Sequence, residues 1–113
     1  MTKAGNRGRE LKQELARILD ILKNRLQPQK VILFGSLAVD RVEQNSDIDL
    51  LIICDSPDPI FERTRKVESL LDRRRAADLV VLTPREVQML LEMGNRYLRQ
   101  ILSRGKVLYE HPV

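Results

Sequence analysis

The sequence predicts one α/β (α+β) domain in which helices pack on a small mixed β-sheet. Short apolar runs of strand length alternate with longer segments whose apolar residues recur every three or four positions. The chain has 113 residues, 42% hydrophobic and 32% charged, which suits a single globular domain and leaves no room for two. We assign residues 1–9, which are polar, to a flexible N-terminal tail and residues 10–113 to the domain.

The first predicted helix follows the tail and ends before Pro28, since proline disfavours a helical residue in front of it. Its apolar stripe comprises Leu11, Leu15, Ile18, Leu19, Leu22 and Leu26. The charged residues Lys12, Glu14, Arg17, Lys23 and Arg25 lie largely off this stripe. This helix is therefore expected to cover one face of a sheet.

Four short apolar segments predict the strands, at residues 30–34, 48–54, 77–82 and 106–110. The stretch from Asp55 to Ala76 is long enough for a crossover between parallel strands. The stretch from Gly35 to Asp47 could instead be an irregular, hairpin-like link. Together these connections predict a mixed sheet.

Three further helices are predicted. Asp58-Pro59 fits an N-cap followed by proline at the first helical position. The inner face of that helix is predicted to comprise Ile60, Val67, Leu70 and Leu71. Thr83-Pro-Arg-Glu86 has the pattern of a capping box and predicts the start of the third helix. Gly94-Asn95 predicts a break between the third and the fourth helix, and Gly105 suits the residue just past the end of the fourth.

The composition excludes several classes of function. No apolar run approaches the roughly 20 residues that a membrane-spanning helix needs, and the basic start of the chain has no apolar stretch typical of a signal peptide. Cys54, the single cysteine, ends an apolar run and predicts a reduced, buried thiol in a cytoplasmic protein. The four aromatic residues lie outside basic clusters, which argues against a nucleic-acid-binding platform despite the net charge of +4.

Two aspartates at the start of the second strand are candidate metal ligands. Asp47 and Asp49 are two residues apart, so their carboxylates point to the same face of a strand. Such a pair repels itself unless a cation is present, and Mg²⁺ prefers carboxylate and phosphate oxygens. Asp78, within the apolar third strand, is a candidate third carboxylate. A site of this kind could bind two Mg²⁺ ions for a phosphoryl-type transfer.

Gly35-Ser36 follows the first strand and supplies the small residues that a phosphate site needs. The sequence contains no Walker-type P-loop. Alone, a Gly-Ser pair after a strand is usually a turn, and an Asp-x-Asp pair is often loop polarity. Their combination in this order, together with Asp78, favours a nucleotide site.

The pattern resembles the DNA polymerase β-like nucleotidyltransferase superfamily, and specifically its minimal nucleotidyltransferases (MNT). The motif of that family is Gly-Ser-x-Ala-Arg-Gly, five further residues, then Ser-Asp-x-Asp-Leu. This chain has Gly35-Ser-Leu-Ala-Val-Asp40, five residues, and Ser46-Asp-Ile-Asp-Leu50 at the same spacing. The match extends to the strand with Asp78 and to the closing segment from Gly105 to Glu110.

The resemblance implies a polymerase β-like palm fold and Mg²⁺-dependent transfer of a nucleoside monophosphate, AMP from ATP, to an acceptor hydroxyl. Asp47 and Asp49 would bind the metals, and Asp78 would complete the site and help deprotonate the acceptor. Gly35 and Ser36 would hold the triphosphate. Members of this type commonly pair with a HEPN-family toxin, which some inactivate by adding AMP to a tyrosine. A hetero-oligomer with such a toxin is therefore expected.

The chain departs from the motif at one point, because Val39-Asp40 stands where the family has Arg-Gly. The change removes a guanidinium that could bind phosphate and adds a carboxylate near a polyanion. Arg41 is the neighbouring cation that could replace it. Two hypotheses follow: a nucleotidyltransferase that modifies its partner, and a binding module that neutralises the same partner by masking it.

Overall fold

The computed structural model describes residues 3–35, 48–72 and 77–112, with side chains from Arg9 onward. The elements are α1 (Lys3–Ile21), a π-helical turn (Leu22–Leu26), β1 (Lys30–Phe34), β2 (Ile48–Ile53), α2 (Ile60–Leu71), β3 (Ala77–Leu82), α3 (Pro84–Glu92), α4 (Arg96–Arg104) and β4 (Lys106–Glu110). Across these residues, no helix combines the length and the apolar character needed to cross a bilayer.

The strands form one sheet in the order β3-β2-β1-β4. β1 pairs antiparallel with both β2 and β4, whereas β2 and β3 are parallel. The predicted mixed sheet is confirmed, as is the parallel crossover between β2 and β3. The antiparallel pairing of β1 and β2 is compatible with the predicted hairpin-like link, but residues 36–47 of that link lie outside the described residues. The predicted strand bounds hold, except that β2 ends at Ile53 and not at Cys54. Cys54 is buried, as predicted, and its burial raises the pKa of the thiol.

Helices cover both faces of the sheet, which explains why the strands are apolar throughout and do not alternate with polar residues. Leu50 and Ile52 point to the face covered by α1 and α2, where Ile18 and Val67 are buried against them. Leu51, the intervening residue, points to the opposite face, where it packs with residues of α3 and α4. The predicted role of α1 as a cover for the sheet is confirmed.

The bounds of α1 differ from the prediction at its N-terminal end. The helix begins at Lys3, so helical backbone runs through most of the segment assigned to the tail at residues 1–9. Extending an existing helix adds one hydrogen bond for each residue fixed, which favours such an extension. At its other end the helix closes in the π-helical turn, and Gln27 adopts a left-handed conformation (φ 52°) before the buried Pro28.

Glu14 is buried, although the pattern of the sequence put it off the apolar stripe of α1. Arg17 accounts for this burial, because its guanidinium donates to both carboxylate oxygens of Glu14, at 2.7 and 2.8 Å. The Arg17 guanidinium also donates to the carbonyl oxygen of Leu71 at 2.8 Å. The hydrogen bond with Glu14 raises the pKa of Arg17. The pair therefore links α1 to the C-terminal end of α2.

Two predictions about the start of α2 are wrong. Asp58 does not cap the helix, because the first intrahelical bond runs from the N–H of Arg63 to the carbonyl of Pro59, and the Asp58 carboxylate instead accepts from Lys66 at 2.7 Å. Ile60 is not on the inner face and is 49% exposed. The buried stripe has a spacing of four residues and consists of Arg63, Val67 and Leu71. An arginine therefore belongs to an inner face that was predicted to consist of apolar residues alone.

Arg63 forms the central polar contact of the fold. It is 5% exposed, and its guanidinium donates to the two carboxylate oxygens of Glu86 at 2.6 and 3.2 Å. It also donates to the carbonyls of Val81 and Asp58, each at 2.9 Å. Glu86 completes the predicted capping box of α3 by accepting from the N–H of Thr83 at 2.8 Å. One ion pair thus joins α2, β3 and α3.

The break between α3 and α4 is confirmed. Gly94 has a positive φ of 78°, and the side chain of Asn95 caps α4 by accepting from the N–H of Leu98. Gly105 follows α4 as predicted, but its φ of −72° is not left-handed. A Cβ on Gly105 would collide with the Ile101 carbonyl oxygen and would come within 2.5 Å of Cγ2 of Ile32 on β1. Glycine is therefore needed here for close packing of the turn on β1.

Replacing Arg63 by methionine should destabilise the fold, because the stem is kept while four donated hydrogen bonds are lost. We expect a loss of about 2 kcal/mol in the free energy of unfolding, measured by urea denaturation. Lys66→Ala removes an exposed cation of the same helix and is the matched control, with a much smaller expected effect. Equal losses in the two variants would contradict the central role of Arg63.

Stability should also depend on pH through Glu86. The guanidinium of Arg63 lowers the pKa of this carboxyl below its ordinary value of 4.5. A carboxyl with a depressed folded-state pKa contributes stability that is complete above its unfolded-state pKa and is lost as the pH falls through the folded value. Glu86→Gln keeps a residue suited to the capping box but removes the charge. The difference in unfolding free energy between wild type and this variant should therefore shrink below about pH 4.5. A difference that stayed constant with pH would contradict the role of the Glu86 charge.

Candidate functional site

Two of the predicted metal ligands lie side by side at one end of the sheet. Asp49 of β2 and Asp78 of β3 are direct partners in the parallel register. Adjacent strands are about 4.8 Å apart, and paired residues point to the same face. That face is the one covered by α3 and α4, because Leu51 and Val80, each two residues further along its strand, pack there. The two carboxylates therefore lie side by side on this face, at the amino ends of β2 and β3.

The surroundings of these two aspartates differ. Asp49 is partly buried in the central part of the sheet, whereas Asp78 is exposed on the edge strand β3. The interpretation of Asp78 as an acid within a buried run is wrong. Solvent reaches the second residue of an edge strand, so Asp78 bears no burial cost. Its exposure instead leaves it accessible to ions and to other molecules.

Gly35 brings the predicted phosphate-binding turn against the predicted metal ligand. It follows Phe34, which is the register partner of Asp49 in the antiparallel pair of β1 and β2. Its φ is +77°, and a Cβ added there would collide with the carboxylate of Asp49. The backbone can pass this close to the carboxylate only with glycine at position 35.

The other predicted site residues, Ser36, Arg41 and Asp47, lie outside the described residues. Within residues 3–35, 48–72 and 77–112, no three acidic, histidine or cysteine side chains are grouped closely enough to hold a metal ion. The two described carboxylates nevertheless suit a divalent cation. They are hard oxygen donors on neighbouring strands, and at least one of them is open to solvent. This donor set fits Mg²⁺.

A cavity of about 380 Å³ adjoins this end of the sheet, between the end of β1 and helix α4. We call it the Gly35–Arg104 cavity; it is lined by Phe34, Gly35, Tyr97, Gln100, Ile101, Arg104 and Gly105. The rings of Phe34 and Tyr97 meet edge to face, 6.2 Å apart. No motif in the sequence predicted a function for Tyr97 or Arg104. The only signal in the sequence was that α4 contains three arginines and no acidic residue.

A larger cavity, of about 570 Å³, lies at the opposite end of the sheet, where Lys30 pairs with Glu110 at 3.7 Å. Its lining includes His111, the single histidine of the chain. Gly35, Asp49 and Asp78, the predicted site residues that the structure describes, do not line this cavity. The candidate site is therefore the end of the sheet with Asp49 and Asp78.

Comparison with known proteins gives one family and several similar structures. The family model described as "Polymerase beta, Nucleotidyltransferase" matches residues 16–112. A candidate nucleotidyltransferase from Sulfolobus solfataricus superposes with a TM-score of 0.67 over 98% of this chain and 90% of its own, at 18% identity, which shows a shared fold. A comparison with curated protein sequences gives no significant match.

Two solved toxin–antitoxin complexes are also similar to this chain. One is a mutant MntA–HpeT pair, at 28% identity and a TM-score of 0.51 over 85% of this chain and 72% of the other. The second is a toxin–antitoxin with AMP-PNP, at 26% identity and a TM-score of 0.52 over 85% of this chain and 73% of the other.

Gly35→Ala should destabilise the protein more than Gly94→Ala. Both glycines have a φ near +78°, so alanine at either position costs about 1 kcal/mol of backbone strain. Only at Gly35 does the new methyl group meet another side chain, that of Asp49, whereas the space around Gly94 is open. The two unfolding free energies, measured by urea denaturation, should differ by about a further 1–2 kcal/mol.

A double-mutant cycle isolates the contact. In an Asp49→Ala background, Gly35→Ala should cost about as much as Gly94→Ala, because the colliding carboxylate is absent. If the extra cost of Gly35→Ala persisted without the Asp49 carboxylate, the collision would not be its source.

Proposed function

The chain belongs to the polymerase beta nucleotidyltransferase family, and from this membership we propose that it transfers a nucleoside monophosphate, AMP from ATP, to a hydroxyl group of a partner protein. The family match confirms the resemblance inferred from the Gly-Ser and Asp-x-Asp motifs. The observation that carries the proposal is the pairing of Asp49 with Asp78 on one face, beside the backbone of Gly35.

In the proposed mechanism, Asp49 and Asp78, with Asp47 from the sequence motif, would hold Mg²⁺, which when bound offsets the negative charge of the carboxylates and the phosphate oxygens. Gly35 leaves its backbone open to the triphosphate. The exposed Asp78 would accept the proton of the acceptor hydroxyl while the hydroxyl oxygen attacks the α-phosphorus. A new O–P bond forms, the bond from the α-phosphorus to the bridging oxygen breaks, and pyrophosphate leaves.

The proposed partner is a HEPN-family toxin that carries the acceptor hydroxyl, so the protein would act as an antitoxin in a cytoplasmic hetero-oligomer. Two relatives above 25% identity support a toxin partner, since both are toxin–antitoxin complexes, and the one with AMP-PNP supports an adenine nucleotide. The surface near the site also suits a protein contact. Met89, Met93 and Tyr97 on α3 and α4 are 51%, 77% and 58% exposed.

Masking of the partner without chemistry is the second candidate. The sequence favours it at Val39-Asp40, where the family's phosphate-binding arginine is missing. The exposed apolar side chains on α3 and α4 serve this function equally well, because they need no nucleotide to bind a protein.

Replacing Asp49 or Asp78 by asparagine should lower transfer of label from α-labelled ATP to a co-expressed partner by at least about 100-fold. Each change keeps the shape of the side chain and removes the charge that holds the cation. Asp55→Asn is the matched control, because Asp55 is exposed just beyond the opposite end of β2 and should leave transfer unchanged.

Intact-mass spectrometry of the partner, with and without Mg-ATP, would count the nucleotide units added. If wild type and Asp49→Asn left the partner equally unmodified, the enzymatic proposal would fail. Neutralisation of the toxin that survived in an Asp49→Asn/Asp78→Asn variant would then support masking.

A further inference from the structure

The end of the sheet with Asp49 and Asp78 has acidic residues on one side and a basic residue on the other. Asp78 and Asp49 lie on β3 and β2, and Phe34 of β1 is opposite Asp49. One strand further, the register pairs Leu33 of β1 with Lys106 at the start of β4. Lys106 points to the face covered by α1 and α2, because its partner Leu33 packs there. On the face of the two carboxylates, the backbone of β1 comes next, and the basic residue beyond it is Arg104, just before β4. The whole row spans three strand spacings, about 14 Å.

The Gly35–Arg104 cavity lies beside the acidic part of this row, because Gly35 lines it and packs against the Asp49 carboxylate. It opens on the same face as the carboxylates, because Phe34 and Ile101 belong to the packing cluster of that face. Arg104 is the one charged side chain among the described residues that line it. No carboxylate in the described part of the chain forms an ion pair with Arg104. The cavity thus has a cation available for an anionic ligand.

An arginine in the last turn of a helix is favoured by the helix dipole, whether or not a ligand is present. Arg99 lies on the same helix, is exposed and does not line the cavity. The two arginines therefore share a helix and a charge but differ in access to the cavity. The helix dipole can explain why an arginine lies near the end of α4, but it does not explain why Arg104 lies beside Gly35.

We propose that Arg104 binds the terminal phosphates of the nucleoside triphosphate, the pair that leaves as pyrophosphate. The proposal rests on the proposed function, which requires the α-phosphate to lie at Asp49 and Asp78. From there the β- and γ-phosphates must extend past the carboxylates. Extension across Gly35, which itself has no side chain, leads within about one strand spacing to the Gly35–Arg104 cavity.

The chemistry of arginine suits this role. Its planar guanidinium can donate two parallel hydrogen bonds to phosphate oxygens, and it stays charged at every pH of interest. The negative charge on the bridging oxygen grows as pyrophosphate leaves, so a cation at this position would assist departure. It would also supply the guanidinium that the sequence lacks at Val39-Asp40, from a different part of the fold.

The test is calorimetric titration of Arg104→Gln and Arg99→Gln with Mg-ATP, magnesium pyrophosphate and AMP. Arg104→Gln should weaken binding of Mg-ATP and pyrophosphate by about 10- to 100-fold, as expected for hydrogen bonds to a charged group. It should change AMP binding less than about twofold, because AMP lacks the terminal phosphates. Arg99→Gln removes the same charge from the same helix and should leave all three affinities within about twofold. Equal thermal unfolding midpoints would show that both variants are folded.

Arg104→Lys adds a second measurement, since it keeps the charge but loses the paired donors, and its affinity for pyrophosphate should be intermediate. Equal weakening of AMP and ATP by Arg104→Gln would assign the cavity to the base and overturn the proposal. If Arg104→Gln and Arg99→Gln weakened binding equally, the effect would be a general charge attraction, and the proposal would also be overturned. If wild type transferred label but Arg104→Gln bound pyrophosphate normally, this inference would fail while the proposed function stood.

Discussion

The burial of β2 on both faces is the constraint on which the rest of the structure depends. Its side chains from Leu50 to Ile53 are buried, and residues that alternate along the strand pack on opposite helical layers. Such a strand needs a neighbour at each edge and helices above and below it, which β1, β3 and the four helices supply. Asp49 is the one polar residue within it, and it lies near the amino end of the strand. The same constraint thus determines both the core and the position of the site.

Stability and chemistry are separated along the length of the sheet. The ion pair of Arg63 with Glu86 lies at the carboxyl end of β3, where the Val81 carbonyl accepts from the guanidinium. Asp49 and Asp78 lie at the amino ends of β2 and β3, several residues away. A buried ion pair must offset its own desolvation, and here further hydrogen bonds to backbone carbonyls help to do so. The charges of Asp49 and Asp78 can therefore change without loss of the contact that joins α2, β3 and α3.

The sequence predicted features that depend on neighbouring residues. The strand bounds other than the end of β2, the capping box of Thr83 and Glu86, and the helix break at Gly94 all follow local rules, and the structure confirms them. Features that depend on distant residues escaped prediction. Glu86 was visible as a cap, but its partner Arg63 lies 23 residues earlier and was hidden by the expectation of an apolar face. Arg104 reaches the neighbourhood of Gly35 only because β4 returns antiparallel beside β1, and no periodicity or motif encodes that register.

The different surroundings of the two aspartates suggest a division of labour within the proposed reaction. Asp49 is partly buried and confined by the backbone of Gly35, so its carboxylate suits a ligand that must keep one position. Asp78 is exposed on an edge strand, so a hydroxyl on a second protein can reach it without entering the core. The acceptor would then approach from the β3 side, and pyrophosphate would leave toward β4 on the opposite side. Such an arrangement suits an in-line displacement, in which the attacking and leaving oxygens lie on opposite sides of the phosphorus. The order of the strands would thereby set the direction of the reaction across the sheet.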